Sequence, residues 1–209
     1  MFSNFTDILQ YIHSTSPGFD GSDSFLWSRW LYLRILGVGY ITAFLSLMTQ
    51  IRGLIGPQGI LPAYQLLAEI ENDTPGWRKY FLAPSIFRLS SSSWALLTVC
   101  WIGFLAGLLV FLNISPAVNL LLCWACYLSF VSVAQDFSGF QSDGLMLEST
   151  ILALLVAPYE IWPELGAHSP PTLLGVFMCR WLTFRLMTES GLALTLLKKP
   201  ANFSTQNLP

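Results

Sequence analysis

Residues 94–134 read WALLTVCWIGFLAGLLVFLNISPAVNLLLCWACYLSFVSVA, and no Asp, Glu, Lys or Arg interrupts them. Two apolar runs, Trp94–Leu112 and Ala117–Ala134, flank the short turn Asn113–Pro116. A helix rises about 1.5 Å per residue, so each run nearly matches a hydrocarbon core of about 30 Å. Inside that core a backbone can satisfy its own amides only as a helix or a closed barrel. Two such runs joined by so short a turn therefore read as a helical hairpin in a bilayer.

The rest of the chain extends the pattern on both sides. Of its 209 residues only 11% are charged and 54% are apolar, with a mean hydropathy of +0.57. Soluble domains carry about 25% charged residues. Here the charge is missing in blocks, as in a polytopic membrane protein. A further run, Trp30–Ile51, contains Arg34 as its only charge. It ends in RGLIGPQGILP, where Gly56, Pro57, Gly59 and Pro62 predict a compact turn, glycine by accepting positive φ and proline by fixing φ. Pro62 then starts a short interfacial helix, AYQLLAEIEN, and a polar loop leads to Ser90–Ser93, an N-cap for the Trp94 run. After the polar connection Gln135–Ser142, a fourth apolar stretch runs from Leu145 to Pro158, near the length of a re-entrant helix. A fifth, Thr172–Leu197, carries Arg180, Arg185 and Glu189.

The expected architecture is an all-α polytopic transmembrane helix bundle with about five membrane segments, the fourth short. Residues 1–29 form an N-terminal amphipathic segment and linker. Residues 30–197 form the bundle, with a loop at 52–93, and residues 198–209 form a polar tail. The first residues lack the basic start and continuous apolar core of a cleavable leader, which assigns targeting to the first membrane helix.

Charges inside membrane helices cost about 2.5–3.5 kcal/mol each on insertion scales, so they pair or face wet cavities. The positive members here are Arg34, Arg180 and Arg185; the negative ones are Asp143, Glu148 and Glu189. Arg185 and Glu189 stand at i,i+4 and can pair on one helix. Asp143, at the start of the fourth stretch, suits free helix N–H groups. Glu148 lies deeper and needs a partner from another helix, for which an arginine of the last segment is the candidate. Two readings of this ionic cluster stand: it fixes helix register, or it forms an internal substrate or ion site.

Other classes of function find little support. A net charge of −2 offers nothing to nucleic acid. His13 and His168 lie far apart, so no metal site is expected, and no cofactor motif is present. Cys123-Trp-Ala-Cys126 has C-x-x-C spacing but sits in an apolar run, without the second loop pair that a membrane thiol oxidoreductase uses to relay electrons. Gly103 and Gly107 form a G-x-x-x-G that lets a helix approach closely, within the chain or by self-association between chains. The tryptophans at 27, 30, 77, 94, 162 and 181 fall mostly at segment boundaries, where they anchor helices at the interface.

Four separated stretches resemble the lipase maturation factor family: RWLYLRILGVGYITAFLSLMTQ, IRGLIGPQGILPA, FSGFQSDGLMLESTILALLVAP and RWLTFRLMTESGLALTLL. Gln50, Leu54, Gly56, Gly59, Pro62, Leu147, Glu148, Arg180, Trp181, Arg185 and Gly191 are among the matching positions. The resemblance covers roughly Leu26 to Leu197. It implies a multi-span, non-enzymatic accessory factor that assists folding and assembly of secreted lipases. The membrane would be that of the endoplasmic reticulum in a eukaryote or the inner (plasma) membrane in a bacterium. It also implies a cytosolic N-terminus, whereas the basic residues Arg52, Arg78, Lys79, Arg88, Lys198 and Lys199 would by the positive-inside rule place their own side in the cytoplasm. The family's large C-terminal domain has no counterpart before Pro209, so the resemblance is to its membrane part. The alternatives are a membrane thiol oxidoreductase or other membrane enzyme, and a transporter-like bundle with an internal ionic site.

Overall fold

A long apolar run becomes a helix in this protein wherever nothing breaks it, and each break is a polar turn with glycine, proline or serine. The computed structural model describes residues 25–73, 76–78, 83–88, 90–134, 141–163 and 171–197. The proposed amphipathic segment, His13, His168 and the polar tail lie outside the described residues. Among the described residues six α-helices follow in order: α1 Leu26–Leu54, α2 Ala63–Asp73, α3 Ser93–Phe111, α4 Pro116–Val133, α5 Gln141–Val156 and α6 Leu173–Leu197, with a 3-10 turn at Ile86–Arg88. Among the described residues there is no strand.

The first helix differs from expectation at both ends. It opens at Leu26, inside the segment read as linker, and runs on to Leu54, past the expected loop start at 52. Nothing from Leu26 onward forbids helix, and Arg52 sits in the last turn, where a cation suits the helix dipole. The hairpin of α3 and α4 follows the sequence closely. Ser92 caps α3 by accepting from the Ala95 N–H at 3.2 Å. Pro116 is the first residue of α4, where its missing N–H costs nothing. The turn between them is tight enough to force Asn113 (φ 64°) and Ser115 (φ 43°) into the left-handed region. The buried Asn119 side chain steadies it, donating to the Ile114 and Ser115 carbonyls at 2.8 and 3.1 Å.

The bundle is a ring of four helices with a fifth outside it. α1 packs on α3, α3 on α4, α4 on α5, and α5 returns to α1, while α6 rests chiefly on α5. The core inside the ring includes Leu33, Tyr40 and Phe44 from α1, Leu96, Cys100 and Val110 from α3, Leu120, Cys123 and Phe130 from α4, and Ala153 from α5. It continues under the loop through Ile55, Ala63, Leu67 and Phe87. The Phe87 ring lies 4.8 Å from that of Phe130. Beside it, the Ile86 N–H donates to Ser129 Oγ at 3.1 Å and Ser85 Oγ donates to the Ser129 carbonyl at 3.2 Å. The long connection is thus fastened to the end of α4.

Among the described residues three helices, α1, α3 and α4, are long and apolar enough to cross a membrane. α5 has 16 residues, about 24 Å of helix. It begins four residues before the expected Leu145, taking Gln141–Gly144 into its first turn. Its start is tied to α4 by Tyr127 and Asp143, and its end to the first turns of α1 by Arg29 and Val156. The helix therefore runs from one end of the bundle to the other instead of looping back. α6, with 25 residues, carries Arg180, Arg185 and Glu189 along its length. The protein is an integral membrane helical bundle.

Candidate functional site

The fourth apolar stretch, now α5, is tied by side chains from three other helices, α1, α4 and α6. Tyr32 of α1 donates its hydroxyl to the Ser149 carbonyl at 2.7 Å. Two turns further along α1, Tyr40 Oη lies 2.6 Å from Thr150 Oγ1. Thr150 gives its single hydroxyl proton to the Met146 carbonyl at 2.8 Å, so Tyr40 is the donor between them. Both side chains are fully buried. Tyr127 of α4 donates to Asp143 Oδ1 at 2.9 Å. Arg29 Nη1 donates to the Val156 carbonyl at 3.3 Å. In an apolar medium each bond spares a group that would otherwise be left unsatisfied.

The outer face of α5 carries the ionic contact. Arg185 of α6 grips Glu148 with both terminal nitrogens: Nη1 donates to Oε1 at 2.7 Å, and Nη2 pairs with Oε2. The fork of the guanidinium matches the two carboxylate oxygens, the strongest geometry for such a pair. Arg185 Nε also lies 3.4 Å from Glu189 Oε1, one turn on. One arginine therefore stands between two carboxylates, and all three side chains are about four-tenths to half exposed.

The six ionic residues singled out from the sequence do not gather in one place. Glu148, Arg185 and Glu189 form the triad just described. Asp143 sits in the first turn of α5 with Tyr127 as its partner. Arg34 reaches the turn between α3 and α4, donating to Asn113 Oδ1 at 3.4 Å and lying 4.1 Å over the Trp30 ring. Arg180 lies over the Phe25 ring at 5.1 Å. The sequence reading missed Arg29, which is only 5% exposed, and the three tyrosines. Their signal was present: a tyrosine in the middle of a membrane helix needs a partner for its hydroxyl.

The turn after α1 is compact, but for a different reason than positive φ. Its hydrogen bonds interlock: Gly59 N to Gly56 O at 2.9 Å, Ile60 N to Gly53 O at 3.0 Å, Leu61 N to Leu54 O at 2.9 Å and Ala63 N to Ile55 O at 3.0 Å. Among the described glycines only Gly76 has positive φ. Gly56 and Gly59 are instead sites of close backbone approach. A Cβ on Gly59 would lie 2.7 Å from the Leu54 carbonyl oxygen, and one on Gly56 would collide with that of Arg52. Pro57 is exposed at the tip, and Pro62 leads into α2.

The G-x-x-x-G is used within the chain. A Cβ on Gly107 would meet Tyr40 Cβ at 3.2 Å, and one on Gly103 would fall into the Phe44 ring. Gly37 answers from α1, its Cβ position 3.0 Å from the Phe111 nitrogen. The four cysteines are free thiols, with Cys100, Cys123 and Cys126 buried. Cys123 Sγ donates to the Gly103 carbonyl at 3.6 Å, the behaviour of a small packing residue. Among the described residues no His, Cys, Asp and Glu group could hold a metal ion.

Open cavities lie between the helices, two of them lined by described residues as follows. One of 540 Å³ lies between α1, α4 and the start of α5, where Gln50, Tyr127, Asp143 and Met146 reach its surface. The other, of 370 Å³, lies between the start of α1, the end of α5 and α6, lined by Arg29, Tyr32, Cys179 and Arg180 among others.

Comparison with known proteins now bears on this arrangement. The model of the lipase maturation factor transmembrane domain matches residues 27–199, from the start of α1 to just past the end of α6. Lipase maturation factor 2 of Rattus norvegicus is 36% identical over 203 residues, 86% of this chain and 28% of that protein. The Homo sapiens protein of that name is 34% identical over 206 residues, 87% of this chain and 29% of its own length. Lipase maturation factor 1 of Mus musculus is 29% identical over 186 residues, 85% of this chain and 32% of that protein. The chain thus spans under a third of the length of these relatives. No solved structure matches. With its whole helical bundle inside the matched domain, the chain belongs to the lipase maturation factor family.

Proposed function

We propose that the chain is a non-enzymatic membrane accessory factor in the maturation of secreted lipases, working in the endoplasmic reticulum membrane of a eukaryotic cell or the inner membrane of a bacterial one. The observation that carries this reading is the family match across residues 27–199. The bundle serves as a scaffold. It holds the connection between α1 and α3 on the side where clients fold, through the Ser85, Phe87 and Ser129 contacts. The contacts converging on α5 keep that scaffold rigid, and the Glu148–Arg185 pair clamps α6 to it.

The test is co-expression with a maturation-dependent lipase in cells lacking the full-length factor, with secreted lipase activity as the readout. Rescue is expected. If the protein is present and inserted but no activity is secreted, the reading fails for the membrane part.

A further inference from the structure

The four-helix ring does not close evenly. α1 packs on α3, and toward its C-terminal end a groove opens between it, α4 and the start of α5. The 540 Å³ groove left there extends along α1 from Gly39 to Ile55. That distance is about 24 Å of helix, more than one leaflet of a core about 30 Å thick. Its walls are mainly apolar, with Leu47, Ile51, Phe130 and Met146 among them. Of the two hydroxyls on its α1 wall, Thr42 returns its proton to the Val38 and Gly39 carbonyls. Ser46 accepts from Gln50 Nε2 at 3.3 Å. Such a surface takes hydrocarbon.

The mouth of the groove has the opposite character. Where α1 ends and α5 begins, Gln50, Ser142 and Asp143 line it. This end lies at the level of Arg52 and the exposed Trp94, whose ring lies 5.7 Å from the guanidinium, the placing of an interfacial anchor. Among the described lining residues Asp143 is the one acid or base apart from the Tyr127 phenol, and none is Lys or Arg. Tyr127 occupies one carboxylate oxygen. Among the described residues no cation pairs with Asp143. The lining therefore presents a carboxylate at the depth of the lipid headgroups.

We propose that this groove holds one phospholipid whose headgroup carries an ammonium group, its acyl chain lying along α1 and its ammonium at Asp143. Length and apolar walls select the chain. The single carboxylate selects a cationic headgroup and disfavours lipids whose only headgroup charge is negative. The occupant extends the packing between α1 and α5 where protein side chains leave off.

The experiment reconstitutes the full chain in vesicles of equal parts phosphatidylethanolamine and phosphatidylglycerol, extracts it in mild detergent, and quantifies retained lipid by mass spectrometry. The wild type should retain about one lipid per chain, with the amine lipid enriched about tenfold over the vesicle ratio, the equivalent of about 1.4 kcal/mol. Ser46→Trp, which fills the groove, should abolish retention, whereas Leu121→Trp on the exposed face of α4 should leave it intact. Asp143→Asn should keep a lipid but return its composition to the vesicle ratio. Should Ser46→Trp fail to accumulate, Gln50→Trp at the mouth replaces it. No retained lipid in the wild type, retention unchanged by the groove fillings, or enrichment unchanged by Asp143→Asn each overturns the proposal. So does loss of a dimer on filling the groove, which would make a second copy the occupant.

Discussion

Gly103→Ala adds one methyl group to a helix that by propensity alone should welcome it, and the structure places that methyl in the Phe44 ring. The ring cannot swing away. It is fully buried, stacked 6.0 Å from Tyr40, and met edge-on by Tyr127 at 6.0 Å and Phe130 at 6.4 Å. α1 and α3 must therefore separate locally, and overpacking of this kind costs about 1–3 kcal/mol. That corresponds to about 5- to 150-fold in the folded-to-unfolded ratio. Steric-trap unfolding in bicelles measures it directly. The cycle with Phe44→Leu identifies the cause. Phe44→Leu alone opens a cavity and should itself destabilise by on the order of 1–2 kcal/mol. In its presence Gly103→Ala should become nearly neutral, giving a coupling of at least about 1 kcal/mol. Gly144→Ala is the control, since nothing lies within 4 Å of a Cβ at that position; it should be neutral or slightly stabilising. Additive effects of Gly103→Ala and Phe44→Leu would refute the steric account. A Gly103→Ala protein as stable as wild type would refute the packing of α1 against α3.

Three further outcomes follow from individual contacts. Tyr40→Phe removes the bond to Thr150 but leaves the Thr150 hydroxyl bonded to the Met146 carbonyl, so the loss in the same unfolding assay should be near the membrane average of about 0.6 kcal/mol; a loss above about 2 kcal/mol would mean that Thr150 is left stranded. Gly59→Ala should lower thermal stability in detergent more than Tyr40→Phe does, because the new methyl meets the Leu54 backbone, which has no side-chain freedom to yield. Glu148→Gln leaves Arg185 only Glu189 as a charged partner among the described residues. Under the proposed function it should weaken lipase rescue and raise protease access to the connection between α5 and α6 while insertion stays normal; full rescue would count against the clamp.

The helices were largely legible because a bilayer leaves a backbone few choices. An apolar run of sufficient length must be helical, and the charge-free residues 94–134 gave both the α3–α4 hairpin and its Ser92 cap. Boundaries were less legible. The start of α1 at Leu26 and of α5 at Gln141 lie in mixed sequence, where a helix continues because neighbours support it. The glycine turn was legible as a turn but not in its mechanism. Close approach of Gly56 and Gly59 to carbonyls four or five residues back is a relation between backbone positions that residue preferences do not express.

The sequence by itself determined a polytopic helical membrane protein of this family, because composition and four ordered motifs are properties of the chain alone. It also supplied the chemical demand: each buried arginine, carboxylate and tyrosine needs a partner. Only the tertiary structure decided which partner each one takes. Six ionic residues that read as one cluster divide among a triad on α5 and α6, a tyrosine-bound acid at the head of α5, and two arginines held by aromatic rings at the opposite end. The G-x-x-x-G was equally open to internal or intermolecular use until Phe44 and Tyr40 were found against it. The physical reason is common to both. Burial sets the cost of an unmet group locally, whereas the group that meets it is chosen by how whole helices cross.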